Sequence, residues 1–359
     1  MRKSIFSWMI SALILILSPN FALAQTAFPD HGRVLEVKVP APALKGNLVG
    51  TLSVQNIAIY LPPSYDLSKD SRYPVIYLLH GIFDDYGVWV ENFDVPKILD
   101  RLIASDEIPE LIVVMPNGGN RYGGGFYRNS PVTGNWADYI ADDLVAYVDK
   151  EFRTVANTAA RAIMGHSMGG YGALNLAIKR SDVFSVVWAL SPCCLVPEED
   201  LSFGNDAWRR AAAIENTEDL RKLLEDRDFY PIALLGIVTA FSPDLHAAPI
   251  YGDFPFDIVR GEIALDGEVL DRYLDQFPVR QIRGSRESLR GLRGLGMSVG
   301  LDDQFLHIPS GTLEFSQELG KERVPHRLDV YDGDHRELVE ERLERTAFPW
   351  VAERLALTE

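Results

Sequence analysis

Arg161-Ala162-Ile163-Met164-Gly165-His166-Ser167-Met168-Gly169-Gly170 is the stretch on which the fold turns. Residues 161–164 read as a short apolar strand, and residues 170–180 continue as a helix. Between them stands Gly-x-Ser-x-Gly, a pattern that sets a serine on a tight, strained turn from strand to helix. Glycines flank the serine because a Cβ at either place would strike a neighbouring element. The hydroxyl is then displayed at the carboxyl end of a sheet, beside the positive end of a helix dipole that favours developing negative charge.

Working outward, apolar runs alternate with helical spacing. Residues 34–39 and 55–60 read as two strands, antiparallel to each other. The continuous apolar run 73–79 has the composition of a strand buried on both faces, and so does 111–115. Helical patterns cover 95–105 and 136–152, the latter with Asp138, Asp142 and Asp143 early and Lys150 late, as the macrodipole prefers. Further on come a strand at 184–190, a strand at 297–300, a helix at 311–322, a strand at 326–331 and a last helix at 336–357. Repeated β-α-β units predict an α/β class protein with a mostly parallel central sheet and helices on both faces; with the Gly-x-Ser-x-Gly elbow at the end of one strand, the α/β-hydrolase fold is expected. From 195 to 292 the alternation lapses into helical patterns at 207–214, 217–225 and 267–276. That block is expected to be a helical cap inserted between core strands, within one domain spanning 25–359.

The first 24 residues have the make-up of a secretory leader. Arg2-Lys3 is positive, residues 5–17 are apolar, and Ala22-Leu23-Ala24 fits a cleavage site, so a secreted or periplasmic product without stable membrane insertion is expected. The apolar run is shorter than the roughly 20 residues a membrane-spanning helix needs. The 359 residues are 47% hydrophobic and 24% charged, which is globular composition. A net charge of −16 repels phosphate backbones and argues against a nucleic-acid partner. Only two cysteines occur, Cys193 and Cys194, which excludes disulfide scaffolds and cysteine-based metal ribbons. Adjacent cysteines bridge only with strain, so two free thiols are expected.

A serine at such a turn becomes a nucleophile only with a base, and the base needs an orienting carboxylate. In this kind of fold they follow in the order serine, acid, histidine. Of the seven histidines, His31, His80 and His166 precede or abut the serine, and His246 lies in the insertion. His307 is too near the acid, and His326 starts a strand at the wrong end of the sheet. His335, in the loop after the last strand, is the expected base. Asp302 and Asp303 both follow the preceding strand, and local spacing does not separate them. Candidate oxyanion donors are the backbone amides of Met168, directly after the serine, and Ile82, in the loop after Leu78-Leu79-His80-Gly81. His80 itself is read as a structural hydrogen-bonding residue. The chemistry calls for no metal or cofactor.

The segment Met164 to Ala173 resembles the nucleophile region of the esterase D family, which includes S-formylglutathione hydrolases, feruloyl and acetyl esterases and mycolyltransferases. Leu79-His80-Gly81, Asn129-Ser130-Pro131, Asp302-Asp303-Gln304-Phe305-Leu306 and Gly333-Asp334-His335 resemble the family in the same order. The resemblance covers about residues 35–350 and leaves the insertion unaccounted for. It implies a Ser167-Asp303-His335 triad, since in S-formylglutathione hydrolases the acid directly precedes Gln-Phe-Leu. It also implies a serine carboxylic-ester hydrolase working through an acyl-enzyme; S-formylglutathione hydrolases are cytosolic, so with the leader at residues 1–24 the expectation is a secreted enzyme acting on a small-molecule or carbohydrate-linked ester. An acyltransferase of the mycolyltransferase type with the same triad is the alternative, and a non-catalytic binder on the same scaffold the third.

Three further features have plain readings. Arg280, Arg283, Arg286, Arg290 and Arg293 are expected on a solvated helix face. The glycine-rich loop 118–125 lacks the Lys-Ser/Thr of a phosphate cradle and reads as a mobile loop beside the site. Phe203, Trp208, Phe229, Tyr230, Phe241 and Phe256 in the insertion are expected mostly to pack, with one or two of them facing the acyl group.

Overall fold

The computed structural model describes residues 31–357, so the leader expected over residues 1–24 lies outside the described residues. Eight strands form one sheet: β1 (Arg33–Pro40), β2 (Val54–Leu61), β3 (Val75–Leu79), β4 (Ile112–Pro116), β5 (Arg161–His166), β6 (Val186–Leu190), β7 (Gly294–Gly300) and β8 (Arg327–Tyr331). Their spatial order is β1-β2-β4-β3-β5-β6-β7-β8. β1 pairs antiparallel with β2, and β2 antiparallel with β4, while every later pairing is parallel. The expected α/β architecture is therefore present.

The continuous apolar runs are explained by burial on both faces. Val75, Tyr77 and Leu79 point to one core with the helix Met168–Lys179. Ile76 and Leu78 point to the other, against the helix Val95–Ala104 and the C-terminal helical segments. With a side-chain period of two, no position in such a strand can be polar.

Register is what builds the site. Leu79 lies opposite Gly165, His166 opposite Leu190, Leu190 opposite Ser298, and Gly300 opposite Tyr331. The carboxyl ends of β3, β5, β6, β7 and β8 thus share one edge, and the loops leaving them converge there, as parallel sheets dictate.

Residues 195–292 hold the helices Ala207–Ala212, Thr217–Asp226, Phe229–Phe241, Gly267–Leu274 and Pro278–Arg290, with a small hairpin of Phe256–Val259 and Glu262–Leu265. The helix Phe229–Phe241 is apolar all round, and Pro231 to Phe241 are all buried. That explains why periodicity does not reveal it: a helix surrounded by protein has no polar stripe. Ser130 Oγ donates to Thr239 O at 2.7 Å and ties this helix to the loop after β4. The helix Pro278–Arg290 packs beside Met168–Lys179 and carries the arginines outward, where Arg280 meets Asp275 at 3.5 Å and Arg290 meets Glu287 at 2.8 Å.

Two expectations need correction. The loop 118–125 is not loose: Tyr122 to Gly125 are buried, and a Cβ on Gly125 would lie 2.2 Å from the Trp136 ring. The final helix is shorter than expected, Val339 to Ala352, and carries a π-helical turn, Leu343–Ala347, between Val339–Arg342 and Phe348–Ala352. Pro349 lacks an N–H and its ring crowds the carbonyl four residues earlier, so the ladder widens there. No helix among the described residues is long and apolar enough to cross a membrane.

Candidate active site

Ser167 follows β5 directly, with φ 57° and ψ −118°, a conformation that a non-glycine residue holds only where its surroundings enforce it. The enforcement is visible at the two glycines. A Cβ on Gly165 would lie 2.2 Å from Gly169 O, and one on Gly169 would lie 2.1 Å from Leu79 O. Ser167 N donates to Leu190 O at 3.0 Å, and Ser167 O accepts from Tyr171 N at 3.0 Å and Cys193 N at 3.2 Å. The turn is thus locked from three sides, and its side chain faces the cavity.

The loop after β3 comes up against it. A Cβ on Gly81 would stand 3.2 Å from Asp84 Oδ2 and 3.4 Å from Ser167 Cβ, which puts this loop in close contact with the serine. His80 pins this loop: Nδ1 lies 2.7 Å from Gly81 O, and Nε2 accepts from Gly118 N at 2.7 Å. Burial lowers its pKa, and the Gly118 donor requires a neutral ring, so His80 is structural, as read from sequence. Among the described residues no acceptor takes the N–H of Ile82, which lines the cavity. Met168 opens the helix Met168–Lys179, and first-turn amides have no intrahelical acceptor.

From the far side, β7 and β8 bring Asp303 and His335 together. His335 Nδ1 lies 2.6 Å from Asp303 Oδ2, with side-chain exposures of 6% and 0%. The second carboxylate oxygen accepts from Phe305 N at 2.9 Å. Asp302 is exposed, and its backbone N–H donates to Gly333 O at 3.1 Å. Of the two aspartates that spacing left open, Asp303 is the one beside the histidine. His166 donates from Nε2 to His335 O at 2.8 Å, and the two rings stand 4.5 Å apart. Burial holds His166 well below the usual imidazole range, so it remains a neutral donor. Arg336 Nη1 donates to Asp84 Oδ2 at 3.0 Å, joining the His335 loop to the Gly81 loop.

These groups surround a cavity of about 250 Å³ lined by Ser167, His335, Ile82 and Phe126 and roofed by Phe229, Tyr230, Leu234 and Ile237 of the buried helix. Phe229 stacks on Phe305 at 5.3 Å, and Phe305 meets the His335 ring edge-on at 5.0 Å. Of the insertion aromatics, Phe229 and Tyr230 reach the cavity, whereas Phe203, Trp208, Phe241 and Phe256 pack among themselves and with Tyr273.

One group in the wall is absent from the sequence reading. His307, passed over there as too close to the acid, lines the cavity together with Cys193 and Cys194. Its Nδ1 lies 2.6 Å from Asp200 Oδ1. Burial disfavours its charged form, yet the Asp200 carboxylate and the nearby Cys193 sulfur together outweigh burial and raise the pKa to about 9. No local signal marks this pair, because the two residues are 107 positions apart on different elements.

The family model for "Putative esterase", the Esterase family, matches residues 53–338. The chain is 33% identical over 174 residues to an endo-1,4-beta-xylanase/feruloyl esterase of Xylanibacter ruminicola, which is 47% of this chain and 23% of that protein. It is 38% identical over 128 residues to an esterase of Mycobacterium tuberculosis, 34% of this chain and 26% of that protein. The chain thus spans about a quarter of the length of these curated relatives. Among solved structures, a ferulic acid esterase is similar at TM-score 0.63 and 23% identity, over 91% of this chain and 99% of that one. An S-formylglutathione hydrolase from Agrobacterium tumefaciens is similar at TM-score 0.59 and 19% identity, over 92% and 98%. The fold is that of the α/β-hydrolases, as expected.

Proposed function

The chain belongs to the Esterase family, and we propose on that premise that it is a secreted serine hydrolase of carboxylic esters. The observation that carries this reading is the buried Asp303–His335 pair at 2.6 Å, sharing one apolar cavity with the strained Ser167. Asp303 accepts from Nδ1–H, which leaves Nε2 as the base that takes the Ser167 proton. The hydroxyl oxygen attacks the ester carbonyl, and the amides of Met168 and Ile82 receive the oxyanion. His335 returns the proton to the departing alcohol, leaving an acyl-enzyme. Water then enters with His335 again as base, and the acid product leaves.

The acyl group in this reading is aromatic. Phe229, Phe305 and Tyr230 present an aromatic cluster to the cavity that holds Ser167, and offset stacking on such rings is worth about 0.5–1.5 kcal/mol per pair. The relatives named for feruloyl ester cleavage support the same choice. Residues 195–292 act as the cap that shapes this cavity, and residues 1–24 as the export leader. The test compares hydrolysis of methyl ferulate, p-nitrophenyl acetate and acetylated xylan by the wild type and Ser167→Ala, with fluorophosphonate labelling of the serine. Labelling at Ser167 and preference for the aryl ester are expected; equal turnover by Ser167→Ala refutes the nucleophile.

A further inference from the structure

Cys193, Cys194 and His307 have no part in the reaction proposed above, yet all three line the same cavity. The chain leaving β6 turns both thiols inward, where they are buried and unbridged. His307 is 5% exposed, and Asp200 Oδ1 takes both its Nδ1, at 2.6 Å, and its backbone N–H, at 2.9 Å. Nε2, the other ring nitrogen, is buried and has no hydrogen-bond partner. Leaving such an atom unsatisfied costs about 1–3 kcal/mol, so its presence in an apolar wall points to a missing ligand.

The two sulfurs and the ring nitrogen all lie within 4.8 Å of one another. We propose that Cys193, Cys194 and His307 bind one soft divalent cation of the zinc type, and that the bound cation closes the acyl cavity. Thiolate and imidazole are the donors zinc prefers, at about 2.3 Å and 2.0–2.1 Å. Tetrahedral bonds of those lengths set the donors about 3.5–3.8 Å apart, so shifts of about 1 Å or less complete the site. Asp200 is the outer carboxylate that fixes the ring and presents Nε2 inward. The cation displaces the thiol protons, and any imidazole proton, into solvent. Its fourth position faces the cavity and takes a water, so that cation and water together occupy the space left for the acyl group. Hydrolase sequence patterns do not announce this site, because its donors come from two neighbouring cysteines and a histidine 113 positions further on. It stands on the cavity wall alone and does not depend on Ser167 being a nucleophile.

The test titrates the reduced, metal-free full chain with Co²⁺ and then Zn²⁺. One equivalent of Co²⁺ is expected to give thiolate-to-metal charge-transfer absorption with tetrahedral visible bands, erased by one equivalent of Zn²⁺. Cys193→Ser and His307→Ala should each weaken binding at least about tenfold, while Ser167→Ala and Asp303→Asn keep the spectrum. Bound zinc should slow aryl-ester turnover in the wild type. Absence of the charge-transfer band, or binding that survives both ligand variants, overturns the site; so does binding lost in Asp303→Asn. Thiolate-bound zinc that leaves turnover unchanged overturns the closure. Should the ligand variants fail to fold, X-ray absorption on the zinc-loaded wild type decides: two sulfurs and one nitrogen are expected, and a sulfur-free shell refutes the proposal.

Discussion

Two histidine–carboxylate pairs share one cavity, and their local geometry is nearly the same. Asp303–His335 and Asp200–His307 each set a carboxylate oxygen 2.6 Å from Nδ1. Each carboxylate is steadied by a further donor: Phe305 N at 2.9 Å on Asp303, and Tyr230 Oη at 2.7 Å on Asp200. They differ in what lies beyond Nε2. His335 stands over the loop of Ser167, coupled through His166, whereas His307 stands beside the two thiols of Cys193 and Cys194. An oriented imidazole is therefore not enough to mark a base; a serine held on the strained elbow after β5 is what distinguishes the first pair. In our reading it serves ester cleavage, and the second forms a wall that a cation can occupy.

The comparison breaks most sharply at the nucleophile. Ser167→Ala should lower kcat by several orders of magnitude, leaving only the roughly 10³-fold residual that binding and oxyanion donors provide. Steady-state kinetics on an aryl ester, with a thermal melt to confirm folding, checks this; retention of more than a tenth of the rate sinks the assignment. Next come the acids. Asp303→Asn should cost on the order of 10³- to 10⁴-fold in kcat, or about 4–5.5 kcal/mol of barrier. Asp302→Asn, an exposed neighbour, should stay within about tenfold of wild type. A large loss at Asp302 with none at Asp303 would exchange their roles. Should neither matter, Asp332 or Asp334 becomes the acid.

The second pair should respond in stability rather than rate. Asp200→Asn removes a charged hydrogen bond to a buried ring and should cost about 1.5–3 kcal/mol in denaturant melts, with kcat within about tenfold of wild type. A kcat loss as large as that of Asp303→Asn would mean that the pairs are not distinct. Phe229→Ala sharpens the cap side: KM for a feruloyl ester should rise about tenfold, matching about 1–1.5 kcal/mol of lost stacking, while that for an acetyl ester changes less. Equal changes for both esters would overturn the aromatic preference.

The smallest effect is a pH dependence from His80. Its folded pKa is depressed by burial, so below about pH 6.5 the unfolded state binds a proton that the folded state refuses. The stability it contributes is present above that pH and declines as pH falls, with His166 acting in the same sense. Melts from pH 7.5 down to 5 should show the decline, and His80→Gln should flatten its slope. An unchanged slope would assign the decline to His166 instead.

How much was legible in the sequence follows physical range. The glycine pattern at 165–169, the apolar strands and the loop histidine are local signals, each dictated by sterics or burial within a few residues. They were enough for the sheet, for the elbow at Ser167 and for His335. The helix Phe229–Phe241 was not legible, because full burial removes the amphipathic stripe. Nor was the π-helical turn in the last helix, which leaves the apolar spacing around it helical.

By itself, then, the sequence determined the α/β class, the order of elements and the residue at the sharp turn, because backbone strain and hydrophobic periodicity are written in neighbouring residues. Local spacing did not decide between Asp302 and Asp303, since both follow the same strand; the family resemblance pointed to Asp303, and the tertiary structure sets that one 2.6 Å from His335. It alone brought Asp200, His307 and the two cysteines to one wall, and packed a glycine-rich segment that reads as a loose loop. Such decisions rest on contacts between residues about 30 to over 100 positions apart, joined by the parallel register of β5 to β8 and by the folding of the insertion across it. No local pattern encodes distances of that kind.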